Sequence, residues 1–411
     1  MTAQDPFVIV GGGLAGAKAA ETLRAEGFDG AVVLVAGEPE VPYERPPLSK
    51  DYLLGKADRE SPRVHPADWY GQQDVELRTG VRATHLDTAA HRLTLDTGEE
   101  LPYAKLLLAT GSSARRIPVP GADLDGVRYL RTFADSDRLL ADFSGGGKRV
   151  VVVGAGWIGL EVAAAARHHG NDVTIVEPQP TPLHAVLGPE MGRVFARLHR
   201  DHGVDLFTDT VVREFRGADG RVTAVATDQH AGLAADVVVV GVGAAPNVEL
   251  AAAAGLEVDN GVITDDALRT SAADVFAAGD VASSFHPLFG RQVRVEHWAN
   301  ALNGGPAAAR SMLGQEISYD RVPYFYTDQY DLGMEYSGHV DPGGYDQLLY
   351  RGDRPGRTFI AFWLSEGRVI AGMNVNVWDV TDPIQQLIRA RREVPVAALT
   401  DVDTPLERLA G

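Results

Sequence analysis

The hexapeptide Gly11-Gly12-Gly13-Leu14-Ala15-Gly16 follows the apolar run Phe7-Val8-Ile9-Val10, and the pattern returns as Gly154-Ala155-Gly156-Trp157-Ile158-Gly159 after Val150–Val153. Glycine is common here, 45 of 411 residues, so the spacing alone carries little weight. Its setting carries more. In a strand–turn–helix of this kind the first glycine permits the tight turn, the second lets the backbone approach a pyrophosphate, and the third lets the helix pack closely. The phosphates then meet free N–H groups at the positive end of the helix. A second strand ending in an acid about 20 residues on completes the fingerprint. Both copies supply it: Glu38 after Val32–Val35, and Glu177 after Val173–Val176. Two dinucleotide sites in one chain point to a flavin nucleotide and a nicotinamide nucleotide.

Composition narrows the class. At 411 residues the chain is long enough for two or three domains, and 45% hydrophobic with 23% charged residues reads as globular. No apolar run reaches the length of a membrane span, and Met1–Pro6 is polar, so neither a span nor a signal peptide is expected and a cytoplasmic location is the default. A net charge of −18 argues against nucleic-acid binding. Cysteine is absent, which excludes disulfides, thiolate metal sites and a redox-active dithiol. The histidines form no ligand constellation; His168 and His169 are helix neighbours that point apart, so no metal site is expected.

Between the fingerprints lie an irregular segment, Glu38 to Lys50, and short alternating runs at Val75–Arg78, Thr84–Asp87 and Arg92–Asp96 that read as antiparallel strands. Three further strand-to-turn runs follow the same plan: Leu106–Gly111, Val237–Gly243 and Val275–Asp280. The last has no role in a unit closed before Gly154. This favours a first dinucleotide domain, residues 1–111 and 245–319, interrupted by a second, residues 112–244; two sequential domains are the alternative. From residue 320 to 411 aromatic-rich strands, Pro323–Tyr326 and Thr358–Leu364, and a helix near Pro383–Arg392 suggest an α+β domain. The fold class is α/β, two Rossmann-like domains plus this C-terminal one.

These marks together resemble the glutathione-reductase-fold flavoproteins, and within them the oxygenase-coupled NADH:ferredoxin reductases, the group of the putidaredoxin and biphenyl-dioxygenase reductases. The resemblance spans nearly the whole chain and rests on both fingerprints, Pro42-Tyr43-Glu44-Arg45-Pro46-Pro47-Leu48-Ser49-Lys50, Ala109-Thr110-Gly111, Gly241–Asn247, Ala278-Gly279-Asp280 and Asp328-Gln329-Tyr330. In thiol-dependent relatives the neighbourhood of Arg45–Lys50 carries a redox cysteine. The resemblance implies FAD held by Gly11, Gly13, Leu14, Ala15 and Gly16 at the pyrophosphate and by Glu38 at the ribose, although relatives often place that acid one position earlier, where this chain has Gly37. Arg45, Lys50 and Arg131 would lie beside the cofactor, Ala83 and Ala109 near its adenine side and Asp280 along the ribityl chain, with Thr110, Gly111 and Gly279 as further cofactor-binding residues. A plain surface role for Arg131 or Ala83 is the alternative.

For the nicotinamide nucleotide, Gly154, Gly156 and Gly159 would hold the pyrophosphate, with Ile158 and Gly243 as further cofactor-binding residues. Glu177 selects NADH, because a carboxylate binds the free diol and repels a 2′-phosphate, and Pro178-Gln179-Pro180 brings no arginine. Glu161, read as lying in the first turn of its helix, is either a cap favoured by the helix dipole or, by resemblance, a partner of Lys50 at the nicotinamide carboxamide. Trp157 and Trp298 either pack as core residues or cover the flavin. Tyr324, Tyr326, Phe362 and Trp363 read as core or interface.

The implied reaction passes a hydride from NADH to FAD and single electrons to a [2Fe–2S] ferredoxin serving a cytochrome P450 or Rieske oxygenase. An acidic ferredoxin would need a local basic patch; Arg389–Arg392 and Arg115-Arg116 are candidates, a solvated helix face being the plainer reading of the former. Rubredoxin reductase, monodehydroascorbate reductase and peroxide-forming NADH oxidase share the scaffold. A redox-sensing flavoprotein resembling apoptosis-inducing factor is the reading of a different class.

Overall fold

The computed structural model describes residues 5–410. The chain forms two compact units, Met1–Glu44, Arg59–Ser113 and Ala245–Pro323 in one, and Arg45–Asp58, Ala114–Ala244 and Tyr324–Gly411 in the other.

The first unit is built on a five-stranded parallel sheet ordered Val275–Ala277, Lys105–Leu108, Phe7–Val10, Val32–Ala36, Val75–Thr79. Its central strands are apolar without alternation because both faces are covered. Ile9, Leu34, Leu107 and Phe276 face one buried cluster; Val8, Val33, Leu106 and Val275 face another. Helices Leu14–Ala25 and Trp298–Met312 meet at glycine: a Cβ on Gly305 would overlap the Ala15 carbonyl. The expectation of an antiparallel strand at Val75–Arg78 is corrected, since Val75–Thr79 runs parallel to Val32–Ala36. Alternation reports only that one face is wet, and an edge strand of a parallel sheet shows the same signal. The strands Ala83–Asp87, Arg92–Leu95 and Glu100–Pro102 do form an antiparallel sheet.

In the second unit a parallel sheet is ordered Val204–Phe207, Asp172–Val176, Arg149–Val153, Val237–Val240, Val127–Arg128. Against its core pack the helices Trp157–His168 and His184–Asp201. The C-terminal part is a five-stranded antiparallel sheet ordered Tyr324–Gln329, Leu332–Gly338, Arg368–Val375, Thr358–Ser365, Gln347–Asp353. Helix Thr381–Ala390 lies close against it, Ile384 filling the space where Gly372 has no side chain. That helix ends at Ala390, so Arg391 and Arg392 lie beyond it, with Arg391 in the left-handed region at φ 49°. Among the described residues no helix is long and apolar enough to cross a membrane.

Candidate functional site: two nucleotide turns and a buried carboxylate

At the first fingerprint the three glycines perform separable jobs. Gly11 has φ 131°, and a Cβ there would overlap the Ala109 carbonyl. Gly16 is pressed against the Gly11 carbonyl, which sets helix Leu14–Ala25 tightly on its strand. Gly13, the helix N-cap, differs: a Cβ there would meet nothing within 4 Å. Space at that point, beside open backbone donors of a helix start, fits a pyrophosphate. Leu14 and Ala15 are buried below it.

Glu38 follows the second strand and accepts a 2.5 Å hydrogen bond from the Tyr43 hydroxyl. Ala83 opens its strand half-buried, and Ala109 is buried at the end of Lys105–Leu108. Thr110 and Gly111 are pinned by Asn247: Thr110 Oγ1 donates to Asn247 O (2.9 Å), Asn247 Nδ2 to Thr110 O (2.8 Å) and Asn247 N to Gly111 O (2.9 Å). Gly279 (φ 77°) approaches Ala15, and Asp280 lies in the 3-10 turn Gly279–Val281 after its strand. Trp298 begins its helix and donates Nε1–H to Glu44 Oε2 at 3.0 Å. Burial pushes the Glu44 carboxyl up, and that hydrogen bond opposes the shift. Arg45, Lys50 and Arg131 belong to the second unit, where Arg45 Nη1 donates to Arg131 O at 2.8 Å.

The second fingerprint repeats the design. Gly154 has φ 98° against Gly241, Gly159 is pressed on the Gly154 carbonyl, and the nearest atom to a Cβ on Gly156 is Gly241 O at 4.0 Å. Glu177 is only 8% exposed. Its Oε2 accepts from Ala155 N at 2.6 Å and its Oε1 from Gln179 N at 2.8 Å. The acid thus braces the glycine turn, and a carboxylate's four or so acceptor sites leave capacity for a diol. Ile158 stands 44% exposed beside the turn. Gly243 (φ 97°) follows Val237–Val240, with Arg115 N donating to its carbonyl at 2.9 Å. Trp157 packs edge-on against Phe195 and Phe325, at 5.5 Å and 4.8 Å between ring centroids.

The expectation that Glu161 sits in the first helical turn is corrected. The helix begins at Trp157 and has no acid in its first turn, so Glu161 falls in the second, too far along to cap it. It is instead 4% exposed and fully engaged. Lys50 Nζ meets Oε1 at 2.7 Å, Ser49 Oγ donates to Oε2 at 2.5 Å, and Thr327 Oγ1 donates to Oε1 at 2.6 Å. A buried ion pair is tolerable only with such extra hydrogen bonds. Lys50 also lies over the Tyr326 ring at 5.4 Å. Burial pushes the neighbouring Asp328 carboxyl up, with Lys50 opposing and Glu161 reinforcing the shift. Thr327 escaped sequence reasoning because nothing local links it to a helix 166 residues away.

The basic runs are already engaged. Arg392 Nη2 donates to Leu409 O at 2.9 Å, Arg115 Nε to Ala244 O at 2.8 Å, and Arg116 covers the Tyr129 ring at 4.8 Å. Among the described residues no cluster of three or more His, Asp or Glu could hold a metal ion.

Residues 5–305 match the pyridine nucleotide-disulphide oxidoreductase family, and residues 324–410 match the reductase C-terminal family. The chain is 42% identical to the ferredoxin–NAD(+) reductase component of the anthranilate 1,2-dioxygenase system of Burkholderia cepacia, over 97% of this chain and 96% of that one. It is 40% identical to rhodocoxin reductase of Rhodococcus erythropolis, over 90% and 86%. The fold superposes on putidaredoxin reductase, solved in covalent complex with putidaredoxin, with TM-score 0.95 and 36% identity over 99% of this chain and 98% of that one. The chain therefore belongs to the pyridine nucleotide-disulphide oxidoreductase family and is an FAD- and NADH-dependent oxidoreductase.

Proposed function

We propose that this enzyme is an NADH:ferredoxin reductase that delivers single electrons to a [2Fe–2S] ferredoxin serving a cytochrome P450 or Rieske oxygenase. The observation that carries the reading is the absence of cysteine from a member of this family. Without a dithiol the protein has no internal covalent relay, so electrons leave the flavin directly for an external acceptor. The names of relatives matched over nearly the whole of both chains support the acceptor class.

FAD, where these residues hold it, would supply the chemistry that links a two-electron hydride donor to a one-electron acceptor. The chain's own residues bind and align. In this reading residues 1–111 and 245–319 carry FAD, with its pyrophosphate at Gly11–Gly16, a ribose at Glu38, the adenine side at Ala83 and Ala109–Gly111, and the ribityl chain at Gly279 and Asp280. Trp298 contacts the same cofactor. Residues 112–244 carry NADH, with its pyrophosphate on the turn from Gly154 through Trp157 and Ile158 to Gly159, Gly243 nearby, and its adenosine diol on Glu177. Residues 320–411 form the C-terminal α+β domain. Glu161 orients the carboxamide, and Lys50 places positive charge where the reduced cofactor gains negative charge. The same reading locates the enzyme in the cytoplasm, where NADH is produced.

The test is anaerobic stopped-flow reduction of the yellow protein by NADH and NADPH, followed by cytochrome c reduction with and without a [2Fe–2S] ferredoxin. Fast NADH reduction with ferredoxin-dependent turnover is expected. Fast reduction whose turnover ignores ferredoxin and yields peroxide would replace the reading with an oxidase.

A further inference from the structure

The triplet Asp328-Gln329-Tyr330 takes part in neither glycine turn, yet it continues the hydrogen bonding of Glu161. Beyond Thr327, Gln329 Nε2 donates to Thr327 Oγ1 at 3.2 Å, His199 Nε2 lies 2.9 Å from Gln329 Oε1, and the Tyr330 hydroxyl lies 3.3 Å from His199 Nδ1. Glu161, Thr327, Gln329 and His199 are all buried.

The direction of every hydrogen in this chain is fixed by valence. Thr327 gives its one hydrogen to Glu161, so its oxygen can only accept from Gln329. The amide nitrogen of Gln329 is thereby assigned, and its carbonyl oxygen faces His199. His199 must then carry its hydrogen on Nε2, leaving Nδ1 to accept from Tyr330. Burial pushes the His199 imidazole down to about 4, which keeps it neutral and suited to that single tautomer. At the outer end the His202 ring stacks on Tyr330, 3.9 Å between centroids, and its Nε2 lies 3.5 Å from Asp331. Four consecutive donors thus point the same way, toward Glu161. Aligned hydrogen bonds polarise one another in a low-dielectric interior. The primary amide in the middle does not hand protons along, so the chain is a polarised brace and not a proton wire.

We infer that Thr327, Gln329 and His199 are positioning residues for NADH oxidation, holding the Glu161 carboxylate in one orientation through a one-way chain of donors. The inference rests on the proposed action of Glu161 at the nicotinamide. With the chain intact, one oxygen of Glu161 is shared by Lys50 and Thr327 while Ser49 holds the other, so the carboxylate cannot rotate without breaking several bonds. Cutting it at Gln329 leaves the Thr327 oxygen without its donor and the His199 N–H without its acceptor, so the Thr327 hydroxyl is no longer held in its orientation toward Glu161.

The experiment is a double-mutant cycle on the flavin-loaded enzyme, read as the limiting rate of anaerobic reduction by NADH. Gln329→Met should slow reduction by about tenfold, as expected for disturbing one hydrogen bond to a charged group. In a Glu161→Gln background the same substitution should change the rate by less than about twofold, because its route is already cut. His199→Gln, which keeps an N–H donor, should stay close to wild type, and His199→Met should match Gln329→Met. A merely structural role would slow both backgrounds equally, and that additivity would overturn the inference alone. Glu161→Gln reduced at the wild-type rate would overturn the assignment of Glu161 and the inference with it. Should Gln329→Met fail to retain flavin, Thr327→Val carries the same cycle.

Discussion

Gly13 and Gly16 are three residues apart in one motif, yet replacing them should cause opposite failures. At Gly13 the backbone has φ −93° and ψ −174°, open to any L-residue, and an added Cβ meets no protein atom within 4 Å. Gly13→Val therefore costs the apoprotein only a poorer N-cap, about 0.5–1 kcal/mol. The valine instead fills the space proposed for the pyrophosphate. Losing two charge-assisted N–H bonds at about 1.5–3 kcal/mol each weakens FAD by roughly 3–6 kcal/mol, or roughly 10²–10⁴-fold in Kd. At Gly16 a Cβ would overlap the Gly11 carbonyl oxygen, a backbone atom that cannot step aside. Gly16→Ala forces helix Leu14–Ala25 off its strand, a strain of about 1–3 kcal/mol or more borne by the apoprotein itself. The assay pairs flavin stoichiometry after reconstitution, from absorbance near 450 nm, with urea unfolding of the flavin-free protein. Gly13→Val should fold normally and stay colourless; Gly16→Ala should lose apoprotein stability. A Gly13→Val protein that takes up a full equivalent of FAD would refute the placement of the pyrophosphate.

The second fingerprint offers the matching dissection: Gly156→Val should keep FAD and lose NADH-driven reduction, since only Gly241 O lies as near as 4.0 Å to its Cβ. Glu177→Ala combined with Gln179→Arg should raise the NADPH-to-NADH ratio of kcat/KM by about tenfold or more, while the orphaned Ala155 N–H lowers stability by about 1–3 kcal/mol; unchanged NADH selectivity would sink the role given to Glu177. Lys50→Met leaves the buried Glu161 without its countercharge and should cost about 3–5 kcal/mol in urea unfolding, much of it recovered in Lys50→Met/Glu161→Gln. His199 has a folded pKa lowered from 6.5 to about 4, so the unfolded chain binds more protons between those values and stability falls as pH drops through that window. From pH 7 to pH 5 this group alone should remove about 2 kcal/mol, and a His199→Gln enzyme that keeps the full slope would contradict it.

How much the sequence disclosed follows from the range of the interactions. The glycine turns were legible because every contact that fixes them lies within one strand–turn–helix or at the tip of an adjacent strand. The place of Glu177 beside its glycine turn was legible for the same reason, although its hold on Ala155 N was not; the fingerprint leads one to expect a diol acceptor, and nothing in it says that the acid also braces the turn. Strand direction at Val75–Thr79 was beyond reach, because alternation reports a wet face and the direction depends on the path of the long connection before it. Glu161 was misplaced by reading the helix from its third glycine when it begins at Trp157, and a shift of half a turn moves a carboxylate from a capping position into the interior. The brace through Thr327, Gln329 and His199 joins residues 166 and 130 positions apart, and three common polar residues carry no local pattern to betray it.

Ser49 and Lys50 show what this member of the family does with a place that thiol-dependent relatives, by resemblance, give to a redox cysteine. The short turn Pro46–Ser49 is set by two prolines, which fix φ and leave few alternatives for the residues after them. Leu48 O accepts from Ser136 at 2.8 Å and anchors the turn to the second unit's own helix Phe133–Phe143. What the turn then delivers is two donors from consecutive residues, Ser49 Oγ on one oxygen of Glu161 and Lys50 Nζ on the other. A thiol would form and break bonds to the substrate or cofactor. A hydroxyl and an ammonium held this way can only fix geometry and potential, which is sufficient when the cofactor carries the electrons and the acceptor takes them directly. Ser49→Cys should therefore not confer disulfide reductase activity, because a lone thiol beside Glu161 lacks the second sulfur needed to complete a dithiol cycle. Reduction of a disulfide substrate by the Ser49→Cys enzyme at a rate above background would mean that the turn still serves thiol chemistry and that Lys50 and Glu161 act in it.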